Sequence, residues 1–296
     1  MDDSPQAPEP SFLDPEDLIE RSQPAPRAGY FGYALGLFLA VVLVSTFAGR
    51  QSAQAQSVVQ MLGGLTMMLV ILAMGGFTWL TVQRQREEQR RLEAIDELLQ
   101  LRRWQEAGML LQGLLSKPTR TMQARVQGLI YLAAVLGRYH RFGDAIIVQE
   151  HLLENVPLDP GSAYGVALGR AMAMLHEDRL VDADRAISEL RRADGSGESA
   201  GLALVEMYRD VKTGHPGEAI ETFTTKLPVL RKQLGQRVAD AWALLAKAYD
   251  MVGQEERARD AYTNATLLSP IAEISRRYAE VASLSGKYVP AAAPAE

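Results

Sequence analysis

The chain has 296 residues, is 47% hydrophobic but only 7% aromatic, and carries a net charge of −5. It contains no cysteine, which excludes disulfides, thiol catalysis and Cys-ligated zinc. Residues 1–83 hold three Arg and seven acids, so the remainder, with 28 basic and 29 acidic residues, is nearly neutral and gives no reason to expect a nucleic-acid partner.

Residues 1–29 are rich in proline and acids, poor in apolar residues, and read as a disordered tail. Inside it, the run Asp14 to Arg21 places an N-cap residue, a proline at the first helical position and early acids ahead of Leu18 and Ile19. A solvated turn is the preferred reading and a short docking helix the alternative.

Tyr30 to Ala48 is a run of 19 residues without a charge, and Val58 to Val82 one of 25. Each is long enough to cross a hydrocarbon core of about 30 Å at about 1.5 Å of helix rise per residue. Gly49 to Ser57 between them suits only the turn of a transmembrane hairpin, so 30–82 is read as two spans, 30–48 and 58–82. Arg50 stands alone in that turn. Arg21 and Arg27 lie upstream, and Arg84, Arg86, Arg90, Arg91, Arg102 and Arg103 downstream, so both termini are expected on the cytoplasmic side of a bacterial inner membrane. Ala53-Gln54-Ala55 resembles a signal-peptidase site, but the apolar core before it is too long for a signal and a second span follows at once. Gln83 to Arg91 reads as a charged continuation of the second span, and the positive-inside bias explains its arginines without lipid specificity.

From residue 83 the pattern is helical and recurrent. Ala107, Ala145, Ala183, Ala219 and Ala258 each open a second helix and fall 38, 38, 36 and 39 residues apart. Around the last of them stand Trp242, Leu245, Ala246, Tyr249, Ala258, Tyr262, Ala265 and Pro270, spaced W-x2-L-A-x2-Y and A-x3-Y-x2-A-x4-P. Small residues at this spacing let two helices cross closely while the large ones fill the gaps beside them. The spacing resembles the tetratricopeptide repeat (TPR), whose period is about 34, with Ala in place of the Gly after Leu. Leu129, Leu132, Ala133, Leu136, Phe142 and Leu152 mark a second good match; the pairs around Ala107, Ala183 and Ala219 are degenerate, and only spacing carries them. The extra length is expected in turns and slightly longer helices. A last amphipathic helix from Pro270 to about Ser285, with Ile271, Ile274, Tyr278, Val281 and Leu284 on one side, caps the stack. The fold class is therefore all-α: a transmembrane hairpin, then a TPR-like α-solenoid of about five helix pairs with its cap over 83–286, and a disordered tail over 287–296.

No residue pattern builds a named active site. Gly197-Glu198-Ser199-Ala200-Gly201 matches G-x-S-x-G, but the segment before it reads as helix, whereas the nucleophile elbow needs a strand. His140, His151, His176 and His215 are scattered singly, without metal-ligand spacing. No catalytic residue, metal, cofactor or small-molecule substrate is expected.

The resemblance implies that the first helix of each pair lines a concave surface for a peptide or helix. Carried over one position at a time, that lining is Ile130, Tyr131, Met172, Leu204, Tyr208, Leu244 and Lys247. The set is mainly apolar and fits either a partner helix or the protein's own cap or tail. The sequence thus points to a membrane-anchored scaffold for protein–protein interactions. A structural subunit of a larger membrane complex, recognised through its spans, is the alternative, and a serine hydrolase using Ser199 a remote one.

Overall fold

A computed structural model describes residues 13–24, 36, 53–195 and 198–288, with only part of the side chains between 53 and 82. Among the described residues the chain is helix and turn, with no strand. It divides into two compact units, 1–135 and 136–296.

The first unit begins with α1 (Pro15–Arg21), inside the stretch read from sequence as a tail. Asp14 caps it, accepting from the backbone N–H groups of Glu16 and Asp17, with Pro15 at the first helical position. α1 packs on α3 (Trp104–Leu115), with Leu13 and Leu18 buried. The docking helix, and not the solvated turn, is therefore what forms. Burial of two leucines outweighs solvation of so short a segment, each worth about 2 kcal/mol.

α2 (Ala53–Gln100) is continuous through 48 residues. The expected charged continuation beyond residue 82 is part of it, while Ala53 to Ser57, assigned from sequence to the interspan turn, is helical. Among the described residues no helix is long and apolar enough to cross a membrane. The first expected span, 30–48, lies outside the described residues apart from Gly36, as do most side chains of the second. Those of Met68, Ile71, Leu72, Trp79, Leu80 and Val82 are described, and all are exposed.

The last turns of α2 and α3 form the first helix pair. α4 (Met122–Arg138) and α5 (Phe142–Asn155) follow in the chain, then the pairs α6 (Pro160–His176) with α7 (Leu180–Asp194), α8 (Ala200–Thr213) with α9 (Pro216–Leu234), and α10 (Val238–Met251) with α11 (Glu255–Leu268). The division between units falls within α4. In the second unit α6 packs on α7, α8 on α9 and α10 on α11, and the first helices also meet in succession, α6 with α8 and α8 with α10. That nearest-neighbour connectivity is that of a helical-repeat stack.

Each of the five marker alanines is the fourth residue of its helix and is buried. Each is preceded by the same turn. Five residues before the alanine a backbone takes positive φ: Arg102 (60°), His140 (58°), Asp178 (55°), Gly214 (78°) and Gly253 (76°). The next residue donates its N–H back across the turn, Arg103 to Leu98, Arg141 to Leu136, Arg179 to Met174, His215 to Asp210 and Gln254 to Tyr249, at 2.8–3.0 Å. This 6→1 closure satisfies carbonyls orphaned at the helix end. The repeat is thus regular in backbone even where its side chains are degenerate. The length beyond the standard period lies in α4 and α6 (17 residues each) and α9 (19 residues), together with the links between pairs, and not in these turns.

The cap is not one helix. α12 (Ile271–Arg277) stops at Tyr278, which is extended (φ −131°, ψ 95°); a 3-10 turn over Ala279–Val281 and α13 (Ala282–Tyr288) follow. The expected face is nevertheless inward: Ile274, Tyr278, Val281 and Leu284 are buried. The break lets a single side of the segment follow a surface that a straight helix would leave. Order also continues two residues beyond the sequence boundary at 286, because Lys287 and Tyr288 both bond Asp250, at 2.9 Å. Between α7 and α8, Gly195 takes positive φ (53°), and residues 196–197 lie outside the described residues.

Candidate functional site

The seven residues expected to line the groove fall into both units. In the first, Ile130 and Tyr131 on α4 are half-buried, and the Tyr131 hydroxyl donates to Asp96 on α2 at 2.9 Å. In the second, Met172 and Lys247 are half-buried, whereas Leu204, Tyr208 and Leu244 have 1%, 1% and 0% of their surface exposed. Of those three, Tyr208 meets the chain's own segment 271–288 directly, and α10, which carries Leu244, packs against the same segment within the second unit.

That contact has an aromatic centre. The Tyr278 ring meets the Tyr208 ring edge-on at 5.0 Å, His176 lies 4.9 Å from Tyr208, and Phe142 stacks on His176 at 4.2 Å. Such edge and stacked pairs contribute about 1 kcal/mol each beyond the area they bury. The Tyr208 hydroxyl lies 3.3 Å from Glu280 Oε1 and 3.2 Å from His176 Nδ1. Donation to the carboxylate, with neutral His176 donating to the phenol oxygen, satisfies the phenol and the imidazole Nδ1, while Glu280 Oε2 stays buried without a hydrogen-bond partner. Lys212 closes the set: its Nζ donates to the Leu175 carbonyl and to Asp178, lies 3.7 Å from Glu280, and sits over the Tyr208 ring.

The electrostatics match a closed contact. Burial, then the nearby charges of Lys212 and His140, pulls His176 down to about 4, so the ring is neutral near pH 7. Burial and the Glu280 carboxylate push Tyr208 up, and burial does the same to Tyr278. A neutral imidazole is thus held by hydrogen bonding to the protonated Tyr208 phenol, with the Tyr278 ring 6.1 Å away.

Further along the segment, Arg277 donates to Asp240 Oδ1 at 2.7 Å, with Arg237 on the other side at 3.7 Å. Asp240 is fully buried, and its carboxyl is raised by that burial against the pull of the two arginines. Lys247 donates to Ser283 at 3.3 Å, and Lys287 reaches both Asp250 and Glu255. Lys247, assigned from sequence to partner binding, is here spent on the cap.

The signature residues of the last pair fall as follows. Leu245, Ala246, Ala258, Tyr262 and Ala265 are buried between α10 and α11; Trp242 packs against Phe223 at 4.6 Å; Arg257 lies over Tyr249; Pro270 is exposed at the start of α12. One regularity escaped the side-chain reading: Arg103–Glu106, Arg141–Asp144 and Arg179–Asp182 are ion pairs at the same place after the turn. An Arg four residues and an acid one residue before the marker alanine carries the signal in the sequence.

Ser199 is the N-cap of α8. Its hydroxyl accepts from the Leu202 N–H at 3.2 Å, and its backbone is ordinarily extended (φ −79°, ψ 114°), without the strain of a nucleophile elbow. Among the described residues no group of His, Asp or Glu is arranged to hold a metal ion.

Comparison with known proteins finds no matching family model, no matching curated protein and no matching solved structure.

Proposed function

We propose that this protein is a membrane-anchored scaffold of the tetratricopeptide type, which holds protein partners at the cytoplasmic face of a bacterial inner membrane. The observation that carries the repeat reading is the fivefold recurrence of one turn, from positive-φ residue to buried alanine. Stacked helix pairs of this kind present side chains from successive first helices to a ligand.

Two observations support the anchor. α2 exposes Met68, Ile71, Leu72, Trp79 and Leu80 in a stretch with no charge between Arg50 and Arg84. An apolar run of this size, left uncovered, is suited to lipid or to a partner span. The second is parity. Residues 13–22 dock on α3 and on Arg125 of α4, beyond both apolar runs. A chain whose segments on either side of 30–82 touch each other crosses a bilayer an even number of times between them, none or two, which is compatible with the two spans read from the apolar runs.

With Tyr208 and α10 met by 271–288, the partner surface of the second unit lies around half-buried Met172, and that of the first around Ile130 and Tyr131. A photo-crosslinking residue at Met172 should trap soluble partners in the native host, whereas one at Leu244 should trap the chain's own C-terminal segment. Stoichiometric capture of an integral membrane protein instead would favour the role of a subunit in a larger complex.

A further inference from the structure

Arg84, Glu87, Glu88 and Arg91 on α2 share a cleft of about 400 Å³ with Lys117 and Arg120 from the link between α3 and α4. Four cationic side chains meet two carboxylates. One carboxylate, Glu88, is already engaged by the Arg120 backbone N–H at 3.1 and 3.3 Å, which fixes the link against the helix. The cleft therefore has a surplus of positive charge on a preorganised frame. Placement of basic residues beside a span accounts for Arg84 and Arg91 but not for Lys117 and Arg120, which lie more than about 20 residues past the apolar run, beyond the reach of that bias.

The position of the cleft selects its ligand. Arg84 is two residues and Arg91 nine residues past exposed Val82, or about 3 and 14 Å along the helix. The headgroup layer on each side of a bilayer is about 5–8 Å thick, and arginine and lysine stems let their charged ends reach back into it. Exposed Trp79 lies just before, where amphipathic rings favour the interface.

We propose that this cleft binds the phosphate of an anionic membrane lipid, with Lys117 and Arg120 closing over a headgroup that Arg84 and Arg91 approach from the helix. The site rests on the membrane-anchor reading given above.

The test uses the full chain in nanodiscs of phosphatidylcholine alone or of an equal mixture with phosphatidylglycerol. Native mass spectrometry should find phosphatidylglycerol retained on the released protein, and its thermal midpoint should be higher in the mixed discs. A Lys117→Gln/Arg120→Gln variant should retain it about twenty-five-fold more weakly, at about fivefold per basic residue, while still inserting. Equal retention by the variant, or equal midpoints in the two discs, overturns the lipid site and leaves the anchor standing. Inorganic phosphate that stabilises the delipidated chain as well as phosphatidylglycerol does would show that the cleft reads a free anion, and would overturn it too. Release of the chain from native membranes by alkaline carbonate would remove the anchor and the lipid site together.

Discussion

Two segments of the chain fold back onto helix pairs, and they are held by different chemistry. At the amino end, Leu13 to Ser22 is read through its backbone: Arg125 donates to the Ile19 carbonyl and the Ser22 hydroxyl, and Thr119 donates both N–H and hydroxyl to the Ser22 carbonyl. At the carboxyl end, 271–288 is read through its side chains, by the Tyr278 ring, Glu280, Arg277, Lys287 and Tyr288. Backbone recognition asks little of the docked sequence beyond two leucines. Side-chain recognition ties the cap to one sequence and makes it part of the core.

The largest break in that comparison is Tyr278→Ala. It removes a fully packed ring and should lower the stability of the second unit by about 3–5 kcal/mol, measured by chemical denaturation. Arg125→Met should cost less, about 2–3 kcal/mol from lost charged hydrogen bonds, and its effect should be local. Amide exchange should accelerate over 13–22 while 271–288 stays protected. Matching acceleration at both ends would show that the two docks are one cooperative unit.

A third effect separates them by pH. His176 titrates near 6.5 when unfolded and near 4 when folded, so the unfolded chain binds its proton more tightly. Stability is complete above about pH 6.5 and declines as pH falls toward 4, by about 2 kcal/mol at pH 5. His176→Phe should flatten that part of the profile for the C-terminal dock. The groups facing His176 are Tyr208, Lys212, Asp178, His140 and Glu280, and none of them belongs to the N-terminal dock, whose exchange protection should not follow this titration.

The smallest effect concerns the turns. Gly253→Ala places a side chain at φ 76° and should cost about 1 kcal/mol, whereas Arg102→Gly relieves φ 60° and should raise the thermal midpoint by the equivalent of about 0.5–1 kcal/mol. Opposite signs at equivalent positions would confirm that the turns are one structure built from different residues.

The repeats were legible because alanine at a helix crossing tolerates no larger substitute: all five markers are buried at the same helical position. The cap's apolar face was legible for the same reason. Its break at Tyr278 was not, since the 3.6-residue period continues through it and only the shape of the surface beneath demands an extended residue. Nor was the fate of the groove. Leu204, Tyr208 and Leu244 have the composition of a partner surface, and nothing in their spacing says that all three would be buried or that Tyr278 would reach Tyr208 first.

Composition and period alone determined that the chain after residue 83 is paired helices with alanine at each crossing, because local volume and helical geometry act within about forty residues. Which faces remain open was decided only in three dimensions. The contacts that close them, Arg125 to Ile19 and Tyr208 to Glu280, join residues 106 and 72 positions apart, a distance over which no sequence period carries information.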